Sequence, residues 1–239
     1  MMALRNTTAR MAIASYGSDD SRSTSHNPVE IAAAMMSRIT STSVNWARNF
    51  RHAGTGEIAS WQVVDNTLAA PAKVLGSAPN VYQIVAVADF TGDHQADILF
   101  RNIGTGEIAE WQVANNQLLS AQVVGSTASV YHVIGTGDFD GNGANDILFR
   151  HDNGELVMWL LNSAGQLLST PVSVATVSNI FHVDGTGDLN GDGRSDIIFR
   201  DPSGNVVEWL MNGASLQAGQ TVGAMSQDFV IAAHHFDLI

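Results

Sequence analysis

The chain of 239 residues reads as an all-β protein, a β-propeller of about four blades of four antiparallel strands, with a short N-terminal helical or disordered extension. Three observations predict this. A segment returns almost unchanged at steps of 49 and 50 residues, beginning at Asp89, Asp138 and Asp188. One tryptophan keeps the same beat, at Trp61, Trp111, Trp159 and Trp209. Between these markers lie short β-rich runs separated by Gly, Asn and Asp turns, the pattern of hairpins.

Taken in order, residues 1–40 stand outside the repeat. Ser, Thr and Asp crowd residues 17–25, a composition that suits a flexible leader. Asn27-Pro-Val-Glu30 resembles a capping box, with Pro28 at the first helical position. A short helix is therefore predicted near 28–38, with Arg38 favourably placed at its negative end. Residues 41–239 hold the repeats, in units near 41–87, 88–136, 137–186 and 187–235. The third unit shows the plan: an acidic loop, Ile147–Arg150, a turn at Asp152–Gly154, Leu156–Leu161, a turn at Ser163–Gly165, and a Val/Thr/Ser run ending near Val174, with the segment before the loop, Val130–Ile134, as the fourth strand. In the tryptophan strand Ala109, Trp111 and Val113 share one face, as period two requires.

The first unit keeps Phe50-Arg51 and Gly54-Thr-Gly-Glu57 but has lost its acidic loop, since Ala47 stands where the others have Asp, and it has no recognisable first strand. The tail, 229–239, reads as the first strand of a fifth unit. This predicts that the tail closes blade one into a four-bladed monomeric ring. The competing arrangement is an open fragment of a larger ring, or a homodimer that builds one from two chains.

Charge bounds the function. There are 23 acids against 11 Lys and Arg, a formal net charge of −12, and residues 88–239 carry 18 of the acids and only 4 of the bases. No nucleic-acid partner is expected of such a surface, which lacks clustered bases. The absence of cysteine excludes disulfides and thiolate chemistry. No stretch reaches the roughly 20 apolar residues of a membrane span, so no membrane insertion is expected. The apolar run Met11 to Tyr16 is shorter than a signal-peptide core of roughly 7–15 residues, so no signal peptide is recognised.

Nine of the acids sit in three loops of the form D-x-[DNT]-G-[DN]-x-x-x-D. Asp138, Asp140, Asn142 and Asp146 occupy positions 1, 3, 5 and 9, as do Asp188, Asn190, Asp192 and Asp196. Alternate oxygen side chains converge when such a loop curls, and the carbonyls of Ala144 and Arg194, at position 7, complete the candidate ligand set. Hard, partly anionic oxygens in a flexible loop select Ca2+. The loop at Asp89, Thr91, Asp93 and Asp97 is a weaker third candidate, because His94 replaces the turn glycine. None is an EF-hand, since position 12 is Phe149 or Phe199 instead of Glu. The plainer alternative is an Asx-turn between strands.

The motifs D-F-D-G-N-G-A-N-D-I-L-F-R and D-L-N-G-D-G-R-S-D-I-I-F-R, each followed by G-[EN]-x-V-x-W-L, resemble FG-GAP/VCBS repeats of the integrin-alpha N-terminal-like propeller superfamily. The resemblance covers roughly residues 44–239. It implies that each loop joins the first two strands of a blade and binds calcium. The family usually has seven blades, from which four units depart. Its functions include adhesion, glycan binding and service as an appendage of secreted enzymes.

The expected function is that of a calcium-binding, non-catalytic binding or adhesion module, extracellular or at the cell surface, with structural calcium and a protein or glycan ligand. A structural segment of a larger secreted protein is the alternative, as is a lectin whose pockets pair the recurrent tryptophans with Arg51, Arg101, Arg150 and Arg200. Against the lectin stands the requirement that a blade bury that same face. No nucleophile or general base recurs beside the loops, so no enzyme is expected. His132 and His182 fall in register but make no metal-ligand spacing.

Overall fold

A computed structural model describes residues 45–64, 67–68, 71–226, 228 and 235–236. The predicted N-terminal extension and its helix lie outside the described residues. Blade one holds β1 (Asn45–Arg51), β2 (Glu57–Val64), β3 (Thr67–Leu68) and β4 (Lys73–Ser77). Blade two holds β5 (Tyr82–Ala88), β6 (Asp97–Asn102), β7 (Glu107–Ala114) and β8 (Gln117–Ser126). Blade three holds β9 (Tyr131–Gly137), β10 (Asp146–His151), β11 (Glu155–Trp159) and β12 (Val172–Thr176). Blade four holds β13 (His182–Gly187), β14 (Asp196–Arg200), β15 (Asn205–Asn212) and β16 (Ser215–Ala224), with β17 (His235–Phe236) at its edge. Blades two to four are antiparallel meanders in sequence order, and in blade one β3 and β4 both pair with β2. This is the predicted all-β propeller plan.

The inner strands β5, β9 and β13 stand side by side and line a cavity of about 220 Å³, with Val85, Thr136 and Thr186 on its wall. Thr186 Oγ1 donates to the Thr136 carbonyl at 2.6 Å, tying two of these strands together.

Both faces of a blade are apolar because a blade is covered on both sides. In β6, Ile98 and Phe100 face blade one, packing with Ile58 and Leu75, whereas Leu99 faces blade three with Ile147, Phe149 and Trp159. A third cluster joins Leu148, Leu156 and Met158 to Ile197, Phe199 and Met211 across blades three and four. The tryptophans are wedges between blades. An ideal Cβ on Gly76 would lie 3.0 Å from the Trp111 ring, and one on Gly125 would lie 2.9 Å from the Trp159 ring. Neither glycine has a positive φ, so its smallness answers to the indole and not to the backbone.

The recurrent arginines tie blades to the links that follow them. Arg51 donates to the carbonyls of Tyr82, Ala78 and Pro79. Arg101 donates to those of Tyr131 and Ala128, and Arg150 to those of Val177 and Ser178. A planar guanidinium satisfies several carbonyls at once. In blade four Arg200 instead lies 2.6 Å from the Asp184 carboxylate.

Most of the predicted closing strand, 229–239, lies outside the described residues. Its two described residues, His235–Phe236, run parallel to Thr186–Gly187 of β13 and do not pair with β1. β17 lies beside the inner strand β13.

Candidate metal centre

Each acidic loop joins the first and second strands of its blade, and its residues are held by their own backbone. Position 1 is the hub. Asp138 accepts N–H bonds from Gly141 (2.7 Å), Asn142 (3.0 Å) and Gly143 (2.8 Å), and Asp188 accepts the same three from Gly191, Asp192 and Gly193. Asp89 gathers Thr91, Gly92, Asp93 and His94. Positions 4 and 6 take positive φ throughout, with Gly143 at 93° and Gly193 at 81°. His94 adopts 63° in the same place, a conformation costing an L-residue roughly 1–2 kcal/mol.

Position 9 has a second duty that the spacing alone does not reveal. Asp146 accepts from Phe139 N (2.9 Å) with one oxygen and from Leu161 N (2.8 Å) with the other. Asp97 holds Phe90 N and Val113 N in the same way, and Asp196 holds Leu189 N and Met211 N. Each of these buried carboxylates pins its loop to the end of the third strand. The one clue in the sequence is that position 9 is Asp in every loop, whereas positions 3 and 5 vary.

Asp138, Asp140 and Asp146 converge, with one oxygen from each lying within 4.8 Å of the others. Burial pushes Asp146 up to about 8, reinforced by the charges of Asp140 and Asp138 and opposed by its backbone bonds. Burial likewise raises Asp138. Three carboxylates so placed repel one another, and a divalent cation relieves that repulsion. Asn142 contributes an oxygen that accepts from Ala144 N at 2.8 Å, while its amide donates to the Leu161 carbonyl. The donor set is all oxygen and fits calcium.

The other two loops are not gathered this closely among the described residues. In one, Asp192 accepts from Asn190 Nδ2 (3.2 Å) and Arg194 N (2.9 Å), while Asp188 and Asp196 keep their backbone partners. In the other, Asp93 is turned to Gln95, and Thr91 Oγ1 donates to Asp97 at 3.2 Å. Burial raises Asp97 to about 7.

Consecutive loops are linked. Asn145 N donates to the Asp89 carbonyl (2.8 Å) and Ser195 N to the Asp138 carbonyl (2.7 Å).

A fourth buried carboxylate lies away from the loops. Glu110 of β7, fully buried, reaches the turn at Gly165 in blade three, where a Cβ would collide with it. Gln122 Nε2 donates to it at 2.8 Å and also to the Ala164 carbonyl. Burial pushes Glu110 up to about 7. An acid raised in the folded state contributes its full stability below its ordinary pKa and loses it as pH rises through the folded one. Glu110→Gln should therefore match the parent near pH 4 and exceed it by about 3 kcal/mol above pH 7, as urea unfolding at the two pH values would show.

The FG-GAP-like repeat family matches residues 138–199, the span that holds both loops with intact position-6 glycines. No curated protein matches the chain. Among solved structures it is similar to the β-propeller domain of Cps50 (Swd1) from Myceliophteria thermophila, at 8% identity and a TM-score of 0.43, over 76% of this chain and 57% of that one. It is also similar to the WD40 domain of SCAP from fission yeast, at 12% identity and a TM-score of 0.43, over 75% and 40%. The chain thus spans less than two thirds of either. Residues 138–199 thus match FG-GAP-like repeats, and the four antiparallel sheets give the chain the plan of a β-propeller.

Proposed function

We propose that this chain is a calcium-stabilised, non-catalytic binding or adhesion module that works outside the cell. The observation that carries the reading is the convergence of Asp138, Asp140 and Asp146 with Asp146 raised to about 8. Such a trio is unfavourable without a cation and favourable with one. Modules of the extracellular kind bind calcium at about 10⁻⁴–10⁻³ M, the concentration range found outside cells. Most of the loop carboxylate oxygens are engaged by backbone N–H groups, which gives calcium the role of stiffening the loop and not of activating a substrate. The ligand is a protein or a glycan.

The recurrent tryptophans and arginines favour a protein-type surface over sugar pockets. Trp111 and Trp159 are only 9% and 4% exposed, and the arginines are engaged with link carbonyls. A polar opening lies between the inner strands of blades three and four, lined by His132, Asp152, Asn179 and His182, with His132 Nε2 2.8 Å from Asp152.

Calorimetric titration is expected to show calcium binding in that concentration range. Millimolar calcium should stabilise the fold by about 0.5–1.5 kcal/mol per site. Affinity should weaken below pH 8, because the cation must displace the Asp146 proton. A melting temperature identical in EDTA and in calcium would refute the reading.

A further inference from the structure

Three apolar clusters join four blades, each between neighbours in sequence. Among the described residues none joins blade four to blade one. What each end blade lacks is what the other presents. Blade one offers Trp61, stacked on Phe50 with ring centroids 4.6 Å apart, yet 40% exposed where Trp111 and Trp159 are covered. Blade four offers Gly223, which pairs with Val206 as Gly76 pairs with Ile58 and Gly125 with Ile108. A Cβ on Gly223 would meet nothing within 4 Å. Its φ is not positive, so the backbone does not require glycine there. It is the same indole seat, with no indole in it.

The surroundings agree. Strand β16 is exposed along its whole length, including Leu216 and Val222, as is Met225 just after it, whereas β8 is covered in part by blade three. Arg48 stands in blade one at the register position that is Ile98, Ile147 and Ile197 elsewhere, opposite Trp61. Blade four carries Glu208 at the position of Glu110, which in blade two faces the following blade. A basic residue in blade one and an acidic residue in blade four thus hold register positions that face a neighbouring blade elsewhere in the chain.

We infer that a second copy of this chain docks head to tail, Trp61 of each copy seated on Gly223 of the other, so that two chains close one eight-bladed ring. Among the described residues of one chain the two faces do not meet, in keeping with the open space at Gly223 and the exposure of Trp61. Two such contacts related by a two-fold axis close the ring, and eight blades is within the range of propellers. The tail fits the same arrangement. His235–Phe236 continues the row of parallel inner strands past β13, the place where blade one of the next copy needs its missing first strand. The interface repeats one already present twice within the chain, which is why its occupant is another copy and not an unrelated protein.

Mass measurement of the full chain by light scattering and native mass spectrometry at micromolar concentration should give twice 25.4 kDa. Trp61→Ala and Gly223→Leu should each weaken association roughly a hundredfold, as loss of a buried aromatic anchor does. Mixing the two variants should restore a two-chain species, because the Gly223→Leu chain still carries Trp61 and the Trp61→Ala chain still carries Gly223. Misfolded variants would not rescue each other, so the mixture separates lost docking from lost folding. A wild-type mass of 25.4 kDa, an open-ended polymer, or a Gly223→Leu chain that still pairs with itself would each overturn the inference.

Discussion

Trp159→Ala should lower the unfolding free energy by about 3–5 kcal/mol, the range for deleting a large aromatic from a core. The indole touches Phe149 within its own blade, with ring centroids 4.9 Å apart, and fills the seat at Gly125 in the blade before it. Alanine would empty both sides at once. Gly125 has no side chain with which to occupy the space, and the strands on either side are fixed by their ladders, so the cavity cannot collapse. Trp61→Ala removes the same atoms from a site that is 40% exposed and should cost the isolated chain much less. Urea unfolding with an unchanged m-value would measure both. Equal losses at the two positions would contradict the wedge assigned to Trp159.

Asp146→Ala should produce the second large effect and also remove this loop's response to calcium. Two buried N–H groups, of Phe139 and Leu161, depend on this carboxylate. Leaving a buried donor without an acceptor costs about 1–3 kcal/mol, so the alanine variant should lose about 2–6 kcal/mol even in EDTA. Asp146→Asn keeps one oxygen and should fall between the parent and the alanine variant. In both variants the stabilisation by millimolar calcium should be smaller than in the parent by the share of this one site. Melting curves in EDTA and in calcium separate the two duties: an asparagine variant that keeps the calcium increment would remove Asp146 from the ligand set.

The repeat itself was legible because its markers lie close together in the chain. Phe149, Arg150 and Trp159 recur at fixed offsets, and the turns at Gly154 and Gly165 punctuate the strands between them, so blade number and strand order follow from spacing alone. The loop chemistry was legible for the same reason, since positions 1 to 9 are local. Contacts between blades were not. That Trp159 needs Gly125, that Arg101 reaches the carbonyl of Tyr131, and that Glu110 is covered by the turn at Gly165 depend on which side of a strand meets which neighbour. Period two fixes the alternation without saying which blade lies on either side. The pairing of Asp146 with Phe139 and Leu161 was hidden behind its more obvious reading as a ligand. The tail was legible only in part: its sequence matches a first strand, and its two described residues run parallel beside the inner strand β13.

Every strong contact between blades joins a unit to its immediate successor: the indole on its glycine, the arginine on the following link, one loop's amide on the previous loop's carbonyl. Such a chain behaves as a one-dimensional array, in which stability is a sum of unit terms and nearest-neighbour terms. Unfolding of a linear array starts at its termini, where a unit has one neighbour instead of two. Blades one and four are then the points at which a protease or heat would enter. Joining the ends of two chains changes the kinetics more than the contacts, because a circle has no terminal unit from which fraying can begin.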